Sequence, residues 1–172
     1  MSARRADEIY TERLRMRRVR PGDLDALHGI MSDPETMRFW STPPHATLEE
    51  TEPWFASMLE GDRAGDSDGF ILEHQGVVIG KLGAWRLPEI GFLVRRDHWR
   101  RGFASEALTR FISYAQDLDL ECLTADVDPR NTACLRVLAK CGFHETGRAN
   151  ATYVVGGQTC DSVFLKLELK RR

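Results

Sequence analysis

The strongest structural signal in this sequence is a helical repeat of apolar residues that follows a short apolar strand and a glycine-containing loop. Between residues 104 and 118, apolar side chains recur with the three- and four-residue spacing of one helix face. The earlier segment Glu89–Val94 is short and apolar enough to be a strand buried on both faces. Between them lies the segment 98–105, which contains Gly102. This order of elements predicts a mixed α/β sheet flanked by helices.

Other segments carry weaker signals that agree with this fold class. Apolar runs bounded by turn residues predict strands at residues 13–17, 70–73, 77–85, 123–127, 152–155 and 162–169. Residues with N-cap chemistry predict helices after Asp23, Asp33, Thr47 and Asn131. We expect the last strand to form an exposed sheet edge. No repeat divides the 172 residues, so we expect one domain over residues 1–172 with a flexible extension at 1–10.

The composition argues against several classes of protein. A formal net charge of −2 disfavours a protein that holds nucleic acid mainly through phosphate contacts. No apolar run approaches the ~18 residues of a membrane-spanning helix, and no secretory signal pattern follows Met1. The four cysteines form no CxxC pair and the five histidines have no ligand spacing, so we expect no metal site. A reducing, cytoplasmic location is the default for such thiols.

Two arginines, Arg100 and Arg101, stand directly before the helix at 104–118. Positive side chains at a helix N-terminus oppose the helix dipole, which is favourable only if an anion binds there. Free N–H groups at the helix start, together with Gly102, would form a cradle for such an anion. An ordinary turn with two solvated arginines is the alternative, and this segment alone does not decide between them.

Several motifs in their order along the chain resemble those of the GCN5-related N-acetyltransferases, in particular the RimJ/RimL-type branch. The motifs are EIGFLV from residue 89, WRRGFASEAL from residue 99 and VDPRNTACLRVLAKCGF from residue 127. The resemblance covers nearly the whole chain, up to GGQTCDSVFLKLEL at the C-terminal end. It implies the acyl-CoA N-acyltransferase fold, a twisted, mixed and mostly antiparallel sheet split between strands 4 and 5. Here those strands are Glu89–Val94 and residues 123–127.

The same resemblance implies that acetyl-CoA binds in the split as the acetyl donor. The family loop has the form Q/R-x-x-G-x-G/A, and Trp99 takes its first position here, as is usual in the RimJ/RimL-type branch. The pantetheine arm would pair with the Glu89–Val94 strand and the pyrophosphate with the backbone of the loop. The implied cofactor residues are Phe92, Leu93, Val94, Arg100, Arg101, Gly102, Phe103, Ala104, Ser105, Asn131 and Cys134.

Direct transfer of acetyl to a primary amine requires a base, because such an amine is mostly protonated at neutral pH. Glu89 is the first candidate base; a water chain, with Glu89 an ion-paired surface residue beside Arg86 or Arg95, is the alternative. Cys134 takes the position of a serine that lies near the cofactor sulfur in related enzymes. It is therefore a candidate acid or a small core residue, and Tyr153 is the alternative acid.

The acceptor amine would belong to a protein N-terminus, a peptide or a small molecule. Phe39, Trp40 and Trp85 are candidate acceptor-binding residues. An antibiotic-modifying acetyltransferase and a non-catalytic acyl-CoA sensor stay open as alternatives, because all three would bind coenzyme A. We expect no nucleic acid or membrane partner, and a homodimer is compatible with the family.

Overall fold

A mixed sheet of eight strands forms the centre of the computed structural model, which describes residues 5–170. The strands are β1 (Glu8–Tyr10), β2 (Arg15–Arg17), β3 (Asp68–His74), β4 (Val77–Arg86), β5 (Glu89–Val94), β6 (Cys122–Val127), β7 (His144–Val155) and β8 (Gln158–Glu168). The helices are α1 (Leu24–Met31), α2 (Pro34–Met37), α3 (Leu48–Ala64), α4 (Phe103–Asp117) and α5 (Thr132–Lys140). The strands lie in the order β1-β2-β3-β4-β5-β6-β8-β7.

The sheet is divided between β5 and β6. These strands run parallel and share a single ladder pair, Glu89 opposite Thr124, whereas every other neighbouring pair is antiparallel and has three or more. The Thr124 N–H also donates to the Pro88 carbonyl (2.9 Å), so the strands are joined only at the start of β5. The predicted split is confirmed. Because β1 adds a strand, it falls between the fifth and sixth strands.

Each face of the sheet has its own apolar core. Alternate side chains of a strand point to opposite faces, and Leu93 and Val94 accordingly lie in different cores. The Val94 core contains α4 residues such as Phe111, together with residues of α5, β6 and β8. The Leu93 core contains α1 residues such as Ile30, together with Phe55 of α3. The two helical layers therefore meet different surfaces of β5.

Two expectations about the chain ends need correction. Part of the predicted flexible extension is ordered, because residues 8–10 form β1 and bury Ile9 opposite Met16 of β2; residues 1–4 lie outside the described residues. The predicted edge strand at 162–169 is also wrong. Its strand, β8, is internal, because Val163 pairs with Val127 of β6 on one side and with Arg148 of β7 on the other.

The edge strand at this end of the sheet is therefore β7, of which the sequence indicated only residues 152–155. Within residues 5–170, no helix combines the length and apolar character needed to cross a bilayer. The expectations of one domain over residues 1–172 and of a homodimer stay predictions.

Candidate active site

The split leaves one edge of β5 without a strand partner beyond its first residue. On its other side β5 pairs with β4, with Leu93 opposite Lys81 and Val94 opposite Gly80. Position 80 requires glycine, because a β-carbon there would collide with the Leu93 carbonyl oxygen. The two strands therefore approach closely on this side. On the other side, where pairing with β6 ends after Glu89, the strand segment of Phe92, Leu93 and Val94 borders the split. An extended ligand can add to such an edge as an extra strand.

The loop that enters α4 presents free backbone N–H groups. Its N-cap residue, Gly102, has a φ of +80°, a left-handed conformation that favours glycine. The Gly102 carbonyl accepts the first helical hydrogen bond from the Glu106 N–H (3.0 Å), and no side chain caps this terminus. The N–H groups of Phe103, Ala104 and Ser105 therefore lack intrahelical acceptors. They can donate to an anion placed at the helix N-terminus.

The arginines of this loop are available to such an anion. Arg100 and Arg101 are exposed, and neither forms an ion pair within the part of the chain that the structure describes. The Arg101 guanidinium stacks 5.1 Å from the centroid of the Phe103 ring. Glu106, the acidic residue of the first helical turn, is already paired with Arg13 (2.6 Å). The loop thus carries positive charge that no acidic side chain of the described residues neutralises.

The start of α5 lies across the split, directly after β6. The Asn131 Oδ1 caps this helix by accepting from the Cys134 N–H (3.2 Å), as the sequence predicted. The Asn131 side-chain N–H groups donate to no acceptor within residues 5–170, so they are free for a ligand. Cys134 packs against the Val94 core, and burial raises the pKa of its thiol to about 12. This thiol is protonated at neutral pH and is a weaker acid than an exposed cysteine.

The turn of the β7–β8 hairpin lies close to the loop that follows α2. A β-carbon at Gly156, in the turn, would lie 3.9 Å from Cγ of Pro43, which follows α2. The half-buried Tyr153 lies near this turn, opposite Cys160. Burial, together with the negative charge of Asp128, raises the pKa of Tyr153 to about 12. Its hydroxyl is therefore protonated at neutral pH.

Glu89 stands at the closed end of the split, where β5 and β6 join. Its side chain is exposed and makes no ion pair among residues 5–170. Arg86 lies opposite it in the β4–β5 register, and Arg95 pairs instead with Asp97 (2.6 Å). The surface ion pair considered as its alternative role is therefore not formed.

Two of the three predicted acceptor residues lie beside the split. The ring of Trp40 covers Gly91 of β5, where an added β-carbon would be 3.4 Å from it. Phe39 lies next to Arg130, whose guanidinium is 5.6 Å from its ring centroid and belongs to the β6–α5 loop. Trp85 differs, because it is 69% exposed at the end of β4 and faces α3.

Sequence reasoning missed Lys81 on β4. Its Nζ lies 5.3 Å from the ring centroids of both Trp40 and Trp54, and burial lowers its pKa to about 8. The sequence feature that could have indicated this site is a single lysine inside the apolar run at 77–85. The sequence could not show whether its side chain reaches solvent, because that depends on α2 and α3. Among the described residues, no group of three or more His, Cys, Asp or Glu side chains is arranged to hold a metal ion.

The split sheet, the unpaired edge of β5 and the loop before α4 define an acyl-CoA N-acyltransferase fold. A sequence profile of the acetyltransferase (GNAT) domain family matches residues 13–144. The chain therefore belongs to the GNAT family, and its activity class is acetyl-CoA-dependent N-acyl transfer. The resemblance seen in the sequence is confirmed.

Individual relatives agree with this assignment. An uncharacterised N-acetyltransferase, p20 of Bacillus licheniformis, is 29% identical and the match covers 96% of this chain and 97% of that protein. The ribosomal-protein acetyltransferase RimL, solved with coenzyme A in disulfide linkage to one of its cysteines, has a TM-score of 0.83 at 17% identity over 94% of this chain and 98% of that one. Spermidine N-acetyltransferase of Vibrio cholerae, solved with CoA and spermine, has a TM-score of 0.78 at 21% identity over 91% and 96%.

Proposed function

We propose that this protein binds acetyl-CoA in the split between β5 and β6 and transfers the acetyl group directly to a primary amine. The acceptor would be a protein N-terminus, a peptide or a small molecule. The observation that carries the proposal is the single ladder pair between β5 and β6. It leaves the edge of β5 formed by Phe92, Leu93 and Val94 without a strand partner, so the backbone groups of β5 that face away from β4 can pair with the amide groups of a pantetheine arm. The Leu93 carbonyl faces Gly80 of β4, and the Val94 carbonyl accepts from the Trp99 Nε1–H (2.6 Å).

The other end of the cofactor would bind at the loop before α4. The three free N–H groups of Phe103, Ala104 and Ser105 suit a pyrophosphate, and the unpaired charge of Arg100 and Arg101 adds to the attraction. On the far side of the split, the free amide of Asn131 would donate to the pantetheine arm. These groups come from both sides of the split, so an extended donor would bridge it.

Acetyl transfer then needs one bond to form and one to break. The neutral amine nitrogen attacks the thioester carbonyl carbon, and a tetrahedral oxyanion forms. Backbone N–H groups near Leu93 and Val94 would donate to this oxyanion. When the oxyanion collapses, the C–S bond breaks, the amide product forms and coenzyme A leaves as a thiolate that takes up a proton.

Glu89 is the proposed base, either directly or through a water chain, because it is exposed at the closed end of the split and has no cationic partner among residues 5–170. The acid is Tyr153 or Cys134. Both groups are protonated at neutral pH, and both are weaker acids than a free thiol, so each would act chiefly by hydrogen bonding to the departing sulfur. The coenzyme A–cysteine disulfide of RimL supports a cysteine near the cofactor sulfur in this fold.

A calorimetric titration with acetyl-CoA tests the cofactor site. Gly102→Asp places a carboxylate at the proposed anion cradle and should weaken binding at least tenfold. Gly76→Asp is the matched control, because Gly76 has nearly the same left-handed φ, +79° against +80°, but lies in the β3–β4 turn. It should bind as the natural chain does.

Equal binding by both variants would exclude the loop as the pyrophosphate site, and no binding by the natural chain would refute the cofactor proposal. Thiol release during incubation with acetyl-CoA and a panel of amines then separates an enzyme from a sensor. A sensor would bind the cofactor and release no thiol above the level seen without an amine.

A further inference from the structure

Lys81 is a half-buried cation with no anionic partner among residues 5–170. Its ammonium lies between the indole rings of Trp40 and Trp54, 5.3 Å from each centroid. No hydrogen bond or ion pair from this side chain is formed within residues 5–170. Buried charges in proteins are normally paired, and aromatic faces compensate only part of the lost hydration. The arrangement is therefore incomplete without an anion.

The space next to the ammonium is large enough for a small anionic group. Lys81 and Trp54 line a cavity of about 60 Å³ between α3 and strands β3 and β4. Asp62 is the one carboxylate among the described residues that line it, but Asp62 is paired with Arg5 (3.0 Å). The cavity thus offers a free cation and apolar walls, and its only carboxylate is already neutralised.

The position of Lys81 relates this cavity to the acetyl-transfer site. Lys81 is directly opposite Leu93, and opposed residues on antiparallel strands project from the same face. That face is the one covered by α1 and α3, opposite to α4. Trp40 joins the two places, because its ring covers Gly91 on β5 and also contacts Lys81. An amine that approaches β5 from this face would pass within reach of the ammonium.

We propose that Lys81 binds a carboxylate of the acceptor, so that the acceptor is an amine that carries a carboxylate a few bonds away, as amino acids do. This inference rests on the proposed function. The carboxylate would accept hydrogen bonds from the ammonium while Trp40 and Trp54 exclude water. A polyamine would instead bring further positive charge toward Lys81, so this class of acceptor is disfavoured.

A matched pair of acceptors tests the role of Lys81. We compare kcat/KM for an amino acid and for its carboxamide, which keeps the amine and removes the negative charge. The natural chain should prefer the acid at least tenfold. Lys81→Met should abolish that preference, and Lys81→Arg should retain part of it. Lys166→Met is the control, because Lys166 is a surface lysine paired with Glu168 (2.7 Å).

Tryptophan fluorescence gives a readout that does not depend on turnover. With coenzyme A present, the amino acid should produce a saturable change in the natural chain and none in Lys81→Met. A preference for the carboxamide or for spermidine, or a preference unchanged in Lys81→Met, would overturn the inference and leave the proposed function intact. Absence of any fluorescence response to carboxylates would also overturn it. Failure to bind acetyl-CoA would instead refute the proposed function, and the inference with it.

Discussion

The two sides of the proposed reaction site use different groups of the protein, backbone on one side and side chains on the other. The cofactor side consists of backbone: the free edge of β5, the left-handed Gly102 and the first N–H groups of α4. The acceptor side consists of side chains that arrive from separate elements, with Trp40 after α2, Trp54 on α3 and Lys81 on β4. A site formed by backbone groups depends on the conformation of the chain, whereas a site formed by side chains depends on which residues stand at those positions.

The two sides should therefore respond differently to sequence change. A site formed by backbone groups tolerates many different residues, provided that glycine is kept at the positions whose conformation requires it. A side-chain site can change its ligand through one substitution, without a change of fold. Four substitutions of decreasing effect test this contrast.

Gly80→Ala should damage the backbone side most. The added β-carbon collides with the Leu93 carbonyl, and neither strand backbone can move freely. We expect the free energy of unfolding to fall by about 3 kcal/mol and acetyl-CoA affinity to fall with it, as measured by urea unfolding and calorimetry. Gly69→Ala is the control, because its nearest atom beyond the chain neighbours is 3.9 Å away. If both variants lose stability equally, the loss comes from replacing any glycine in a strand and not from the collision with the Leu93 carbonyl.

Lys81→Met should stabilise the protein, because it removes the cost of holding a half-buried charge on the side-chain side. The pKa of about 8, against the usual 10.5, corresponds to at most about 3 kcal/mol. The full gain is expected below pH 8, where lysine is charged in both the folded and the unfolded chain. From pH 8 to 10.5 the folded state loses its proton first and the gain shrinks. Urea unfolding across this range measures it, and a gain independent of pH would exclude the charge as its source.

Asn131→Asp should separate two roles of one side chain. A carboxylate still accepts from the Cys134 N–H, so helix capping and stability should be retained. The lost amide donor and the added negative charge should weaken acetyl-CoA binding about tenfold, which calorimetry detects. Asn131→Ala should additionally lose about 1 kcal/mol of stability. Unchanged affinity in Asn131→Asp would show that the amide does not contact the cofactor.

Cys134→Ser should have the smallest effect. A thiol with a pKa of about 12 is a poor acid, and a hydroxyl can replace its hydrogen bond. We expect kcat to stay within about threefold of the natural value, as measured by thiol release. A large loss of turnover with intact acetyl-CoA binding would instead establish a specific role for the sulfur.

The same contrast explains what could be predicted from the sequence. Gly102, the run of N–H groups after it and the apolar β5 strand lie close together in the sequence, so local patterns indicated them, whereas the split was implied by the family resemblance. The Lys81 environment could not be foreseen, because Trp40, Trp54 and Lys81 meet only after three elements have packed. The raised pKa of Cys134 also depends on tertiary burial. Likewise, the internal position of β8 was missed because β7 is long and polar, a pattern that resembled a loop.

The contact between the Gly156 turn and Pro43 has a consequence for the access of acceptors to the enzyme. It brings the turn of the β7–β8 hairpin beside the loop that follows α2, so in the proposed function this turn would border the route of the acceptor. A small amine would enter with this contact in place. A folded protein that offers its N-terminus is wider, and it would have to displace the turn first. The rate of that opening would then set an upper limit on turnover for large acceptors but not for small ones.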